Sequence, residues 1–127
     1  MNIIISNTSE IPLYKQIKEQ IKDSILRGEL SEGDLLPSIR QFANEIKVSV
    51  LTIRRVYGEL EEEGFVHSQA GLGTFVSAGN LELIRDAKYR VVEEKMRALI
   101  DDAKSLSITM DELEEMMHIL FEEDSND

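Results

Sequence analysis

The run Val48-Ser49-Val50-Leu51-Thr52-Ile53-Arg54-Arg55-Val56-Tyr57 decides the fold. Read as a helix, it has Ser49 as its N-cap, with an oxygen that can accept from the free amide of Thr52. Val50, Ile53, Val56, Tyr57 and Leu60 recur at helical spacing and are expected to face a core. Thr52, Arg54 and Arg55 point elsewhere, near the helix start. Just upstream, Ser38-Ile39-Arg40-Gln41 has the Ser-x-x-Gln form of a capping box. It opens a shorter helix, to about Ile46, that should bury Ile39, Phe42, Ala43 and Ile46. With Ile46-Lys47-Val48 between them, the two helices spell a helix-turn-helix.

Working outward, Ile11-Pro12 opens an earlier helix, with proline tolerated near the first helical position. Leu13, Ile17, Ile21, Ile25 and Leu26 form its apolar stripe, Tyr14 stands beside it, and Gly28 ends it. Leu30 to Pro37 reads as a connector, with Gly33-Asp34 as a turn and Pro37 holding Leu36 extended. The third helix should stop at Gly64. Phe65 to Ser68 and Thr74 to Ser77 read as short strands joined by Gln69-Ala70-Gly71-Leu72-Gly73. Three helices followed by a hairpin make a winged helix. A fourth helix is expected from Asn80 to about Lys104, and a second capping box, Thr109 to Glu112, opens a fifth. Glu122 to Asp127 reads as a frayed acidic tail. The expected fold is mainly α: a winged helix-turn-helix at residues 1–78, then a two-helix dimerisation segment at 79–127.

The 127 residues suffice for one small domain with an appendage. The absence of cysteine excludes disulfides and cysteine metal sites. No apolar run approaches membrane-spanning length, and Met1-Asn2-Ile3-Ile4-Ile5 lacks the form of a signal peptide. The expectation is a cytoplasmic protein with no membrane partner. A net charge of −11 argues at first against nucleic acid. The distribution reverses that: residues 1–78 carry −3 and residues 79–127 carry −8. Between Leu36 and Gly58, Arg40, Lys47, Arg54 and Arg55 face Glu45 alone. A phosphate meets this local potential, not the total.

The last two helices carry an apolar seam of Leu81, Ile84, Val91, Val92, Met96, Leu99, Ile100 and Ala103, then Leu113, Met116, Met117, Leu120 and Phe121. Two amphipathic helices cannot hide such faces alone: either they fold back on the winged helix or they pair with a second copy. Pairing is expected, because the seam spans both helices and the winged helix already has its own core. A symmetric dimer would set two recognition helices about 34 Å apart on one duplex.

From Ile11 to Val76 the chain resembles the GntR family of bacterial transcription regulators. The residues that carry the likeness are Pro12-Leu13-Tyr14-x-Gln16-Ile17, then Gly28-x-Leu30-x-x-Gly33-Asp34-x-Leu36-Pro37-Ser38-x-Arg40. They continue as Val48-Ser49-x-x-Thr52-Ile53-x-Arg55-x-Tyr57-x-x-Leu60-Glu61-x-Glu63-Gly64, and close with Gly71-x-Gly73-Thr74-Phe75-Val76. The short C-terminal part looks like the YtrA-type subfamily. The resemblance implies a dimeric, operator-binding repressor, with Arg40, Ser49, Thr52 and Arg54 at the DNA and Gly71 and Gly73 at a wing tip near the minor groove. Many members of the family carry arginine directly after the cap of helix three. Val50 stands there in this chain, which shifts the burden to Arg40 and Arg54.

Each site residue has a plainer reading. Arg54 and Arg55 diverge by about 100° on a helix, so both cannot face the groove equally. Arg54 is assigned to DNA; Arg55 either contacts backbone or pairs with Glu59 four residues on. Gly71 and Gly73 are either turn residues or a bare tip that lets backbone approach DNA. Lys15 and Lys18 read as a solvated face. His67 and His118 announce no metal site, and no cofactor is expected. Met96, Met110, Met116 and Met117 suit a helix interface, with an unidentified small-molecule effector as an addition. No phosphate-binding glycine loop or nucleophile elbow points to an enzyme. The leading expectation is a sequence-specific regulator that binds double-stranded DNA as a homodimer, as a repressor on a near-palindromic operator. The rival is a winged-helix protein–protein adaptor that does not bind DNA, supported by the acidity.

Overall fold

The computed structural model describes residues 1–77 and 81–125. The order of elements is α1 (Leu13–Leu26), α2 (Ile39–Ile46), α3 (Val50–Glu62), β1 (Val66–Gln69), β2 (Gly73–Val76), α4 (Leu81–Ser105) and α5 (Met110–Ser125). Residues 1–87 form one compact unit and 88–127 a second. The boundary expected near residue 78, and Asn80 as a helix start, lie outside the described residues. Among the described residues no helix is long and apolar enough to cross a membrane.

In the first unit, α1 lies against α3 and α2 against α3. Their shared core is Ile17 and Ile21 of α1, Phe42 and Ala43 of α2, and Ile53, Val56, Tyr57 and Leu60 of α3. Leu36, Phe65, Val66 and Val76 close it from the connector and the hairpin, and Ala87 of α4 packs against it. Phe42 and Tyr57 stack at 6.1 Å between ring centroids. The buried Tyr57 hydroxyl donates to the Pro37 carbonyl at 2.7 Å, and burial pushes its pKa up. That bond fixes the start of α2 to the middle of α3. Ile39 and Ile46 are half-buried rather than in the core. Val50 is a correction: it lies exposed on α3, because the first turn of the helix projects past the edge of the core.

The strands pair antiparallel with Val66 opposite Val76 and Gln69 opposite Gly73, leaving a three-residue loop. They begin one residue away from the expected spans: Phe65 is buried beneath the hairpin, and Gly73 already pairs. The connector before α2 joins the sheet. The Leu36 amide donates to the Thr74 carbonyl, and the Val76 amide donates to the Asp34 carbonyl, both at 2.8 Å. The wing is thereby tied to the start of α2. At the other end of the unit, Gln16 and Gln20 hold the extended N-terminal segment. Each side chain both accepts from and donates to its backbone, at Ser6 and at Ile4 respectively.

In the second unit, Ala103 and Leu113 are buried on either side of the turn between α4 and α5. Ser107 makes that turn at φ 58°, and the Ile108 amide returns to the Ala103 carbonyl. Thr109 then caps α5: its hydroxyl accepts from the Glu112 amide and donates to the Glu112 carboxylate. Helix α5 runs through Ser125, so most of the expected tail is helical. With no glycine or proline after Met110, nothing in its sequence stops the helix earlier.

Candidate nucleic-acid interface

The two caps that set the helix-turn-helix form as expected. Ser38 Oγ accepts from the Gln41 amide and Ser49 Oγ from the Thr52 amide, both at 3.1 Å. The first capping box is only half made. Gln41 donates its side-chain amide to Glu45 rather than reaching back to Ser38. Lys47 makes the turn in the left-handed region, φ 57° and ψ 48°, and the Val48 amide closes onto the Ala43 carbonyl. This sharp reversal aims the N-terminus of α3 outward.

An open cleft of about 760 Å³ lies between α2, α3 and the wing. The N-cap Ser38 and Arg40 line it from the start of α2, Val50 and Arg54 from α3, and Leu72, Gly73 and Thr74 from the hairpin. Arg40 and Arg54 are exposed and make no ion pair among the described residues. Ser49 and Thr52 stand at the start of α3 with their hydroxyls 2.7 Å apart. One of the two hydroxyl hydrogens is left over for a third partner. Gly71 sits exposed at the hairpin tip with φ 77°. Gly73 has φ 125°, and a Cβ there would stand 2.9 Å from Leu35 Cδ1. Both glycines therefore serve the bend, and Gly73 also makes room for the connector.

Arg55 stands apart from this cluster. Its Nε donates to Glu59 at 2.8 Å, and its guanidinium lies 3.5 Å from the centre of the Tyr14 ring. Lys18 corrects the expectation of a solvated face: it meets Glu59 at 2.9 Å and Glu63 at 3.2 Å. Lys22 meets Glu63 at 2.9 Å and lies over the Phe65 ring. The hydrogen bonds from Arg55 and then Lys18 hold the Glu59 carboxyl below its ordinary pKa. For Glu63, burial pushes upward, but Lys22 and Lys18 outweigh it and the net shift is down. Glu61 turns the other way and accepts from the amide and hydroxyl of Ser68 on β1. Three of the carboxylates at the acidic end of α3 are thus engaged, while Arg54, nearer its N-terminal end, makes no ion pair among the described residues. Neither the α1–α3 ion pairs nor the tie between connector and wing was anticipated. Pairing across helices depends on contacts between residues about forty apart.

Of the expected dimer seam, Val92, Met96, Leu99, Met116, Met117 and Leu120 are exposed within one chain. Ile84 and Val91 are half-buried. Leu113 is already covered inside its own unit, and the side chain of Leu81 lies outside the described residues.

Comparison with known proteins adds four findings. Residues 13–76 match the family described as bacterial regulatory proteins, gntR family. The HTH-type transcriptional repressor YtrA of Bacillus subtilis (strain 168) is 34% identical over 113 residues, which are 89% of this chain and 87% of that protein. Among solved structures, a GntR family transcriptional regulator from Listeria monocytogenes superposes with a TM-score of 0.73 at 25% identity, over 90% of this chain and 97% of its own. The AraR DNA-binding domain, solved in complex with operator ORR3, gives 0.51 at 30% identity, over 61% of this chain and 93% of its own.

Proposed function

The chain belongs to the GntR family of bacterial transcription regulators, and from that premise we propose that it is a homodimeric repressor of the YtrA type, binding a near-palindromic operator in double-stranded DNA. One observation carries the reading. Arg40, Arg54 and the wing residues Gly73 and Thr74 line one cleft, and the two arginines have no internal partner among the described residues.

In this mechanism the first turn of α3 enters the major groove and the wing tip, through Gly71 and Gly73, follows the backbone toward the minor groove. Ser49 and Thr52 donate to phosphate beside the positive end of the α3 dipole, fixing register without reading sequence. Arg40 and Arg54 read base edges, guanine being the best match for a guanidinium. Arg55 braces α3 on α1 through Glu59 and Tyr14. The segment 79–127 supplies dimerisation: its exposed apolar side chains on α4 and α5 are what a second copy would cover. Repression follows from occupancy, since a bound dimer excludes polymerase. The name of the Bacillus relative, a repressor, and the operator complex of AraR both support this.

The test is enrichment of duplexes by the full-length protein from a random pool, followed by titration against salt. A two-fold-related consensus is expected, with affinity falling steeply as salt rises because counterions are released. Failure to enrich any duplex, or binding indifferent to salt, would favour the protein–protein adaptor.

A further inference from the structure

We propose that Val50 and Leu51 make this chain a thymine reader: the apolar pair on the first turn of α3 receives the 5-methyl groups of thymines in each operator half-site. This rests on the regulator reading above and adds base chemistry to it.

The first turn of a recognition helix is where side chains reach base edges. Here it presents Val50 at 36% exposure and Leu51 at 71%. The core pattern of α3 is otherwise kept, with Ile53, Val56, Tyr57 and Leu60 buried. The Ser49 cap fixes where the helix starts, so the two apolar side chains are exposed by register and not by fraying. Val50 also lines the cleft that holds Arg40 and Arg54. Arg54 is four residues on from Val50, one turn further along the same face.

Neither side chain can donate or accept a hydrogen bond. Facing a phosphate or the edge of a guanine, cytosine or adenine, each would strip water from a polar group and return nothing. The major groove offers one apolar feature, the thymine methyl. The two kinds of side chain at this end of the site therefore divide the reading. Guanidinium groups take guanine or phosphate, Val50 selects an A·T pair beside Arg54, and Leu51, turned about 100° from Val50, selects a neighbouring one.

The experiment uses a duplex enriched from a random pool by the full-length protein, remade with deoxyuridine replacing one thymine at a time. That change removes only the methyl. One or two thymines per half-site should each lose about fourfold in affinity, the factor for one apolar carbon no longer buried. Val50→Ala or Leu51→Ala should abolish that sensitivity at the matching position and leave uracil elsewhere without effect. A consensus lacking thymine in the half-site, or affinity indifferent to every methyl, overturns the proposal while the regulator reading stands. So does a methyl penalty unchanged in both variants. If the pool yields no duplex at all, the regulator reading falls and this proposal with it.

Discussion

Arg54→Ala is the substitution that most directly probes the cleft. Arg54 is exposed and makes no ion pair among the described residues, so its removal strands no carboxylate. Glu59, the acid five residues on, is already bound by Arg55 and Lys18. Folding stability should therefore stay within about 0.5 kcal/mol of wild type. Any loss of operator affinity can then be read as a lost contact. A guanidinium held bidentate on guanine contributes about 1–3 kcal/mol of discrimination, roughly 5- to 150-fold. A phosphate contact behaves differently. It weakens all sequences alike and lowers the salt slope by about 0.9, which is about 3.5-fold between roughly 50 and 200 mM salt. Fluorescence anisotropy on operator and scrambled duplexes, across that salt range, separates the two. The expected result is loss of the preference for operator with the salt slope nearly kept. Arg55→Ala is the internal control: it removes the Glu59 partner and the Tyr14 ring contact, so it should lower the melting temperature more than the affinity. Unchanged affinity in Arg54→Ala, or a greater binding loss in Arg55→Ala, would refute the reasoning.

Three further outcomes follow from the geometry. Gly73→Ala should cost about 1–3 kcal/mol in urea denaturation, since φ 125° suits only glycine and its Cβ would press on Leu35; Gly71→Ala, in open space at φ 77°, should cost about 1 kcal/mol, and the reverse order would contradict the wing geometry. Glu59 and Glu63 titrate below their ordinary values in the folded state, so the stability they lend is present above the unfolded carboxylate pKa of about 4.3 and is lost as pH falls through the folded values. Melting temperatures measured downward from neutral pH should therefore drop on the acid side, and a Lys18→Met, Lys22→Met double variant should flatten that drop. Leu99→Glu combined with Leu120→Glu should give a monomer by sedimentation velocity with the winged helix still folded, and operator affinity should fall because the two half-sites no longer bind as one ligand; a persisting dimer would move the interface elsewhere.

The helices were legible because their signals are local. Ser38, Ser49 and Thr109 each cap the helix that the spacing of serine or threonine before an apolar run announces. Gly28 and Gly64 end α1 and α3 in the left-handed region as a glycine after a periodic run predicts. The same reversal occurs at Lys47 and Ser107, where the sequence carries no glycine to mark it. Val50 was misread because periodicity counts apolar residues and not where the core ends. A stripe drawn through Ile53 and Val56 extends to Val50, yet Val50 and Leu51 on that turn stay exposed among the described residues. The site itself was half legible. Arg40 and Arg54 stood out as cations near a helix start, but that they share one cleft with Gly73 depends on the connector pairing with β2. Gly33-Asp34 and Pro37 mark a bend there and say nothing of which strand it will join.

The ion pairs between α1 and α3 bear on DNA binding although no atom in them is assigned to DNA. Arg54 and Glu59 are five residues apart, about 7.5 Å along the helix. That is inside the screening length of about 10 Å at 0.1 M salt, so in the proposed complex a bare Glu59 would repel phosphates brought up to Arg54. Lys18 and Arg55 neutralise it, and Lys18 and Lys22 neutralise Glu63 one turn beyond. An acidic chain can thus present a cationic edge, because Glu59 and Glu63 are matched by Arg55 of α3 and by Lys18 and Lys22 of the adjoining α1. Lys18→Met should then weaken operator and scrambled duplexes by the same factor. The weakening should fade as salt is raised, and the consensus selected from a random pool should not change. A loss confined to the operator would instead place Lys18 at the bases, and no loss at low salt would mean that Glu59 is screened from the duplex without its help.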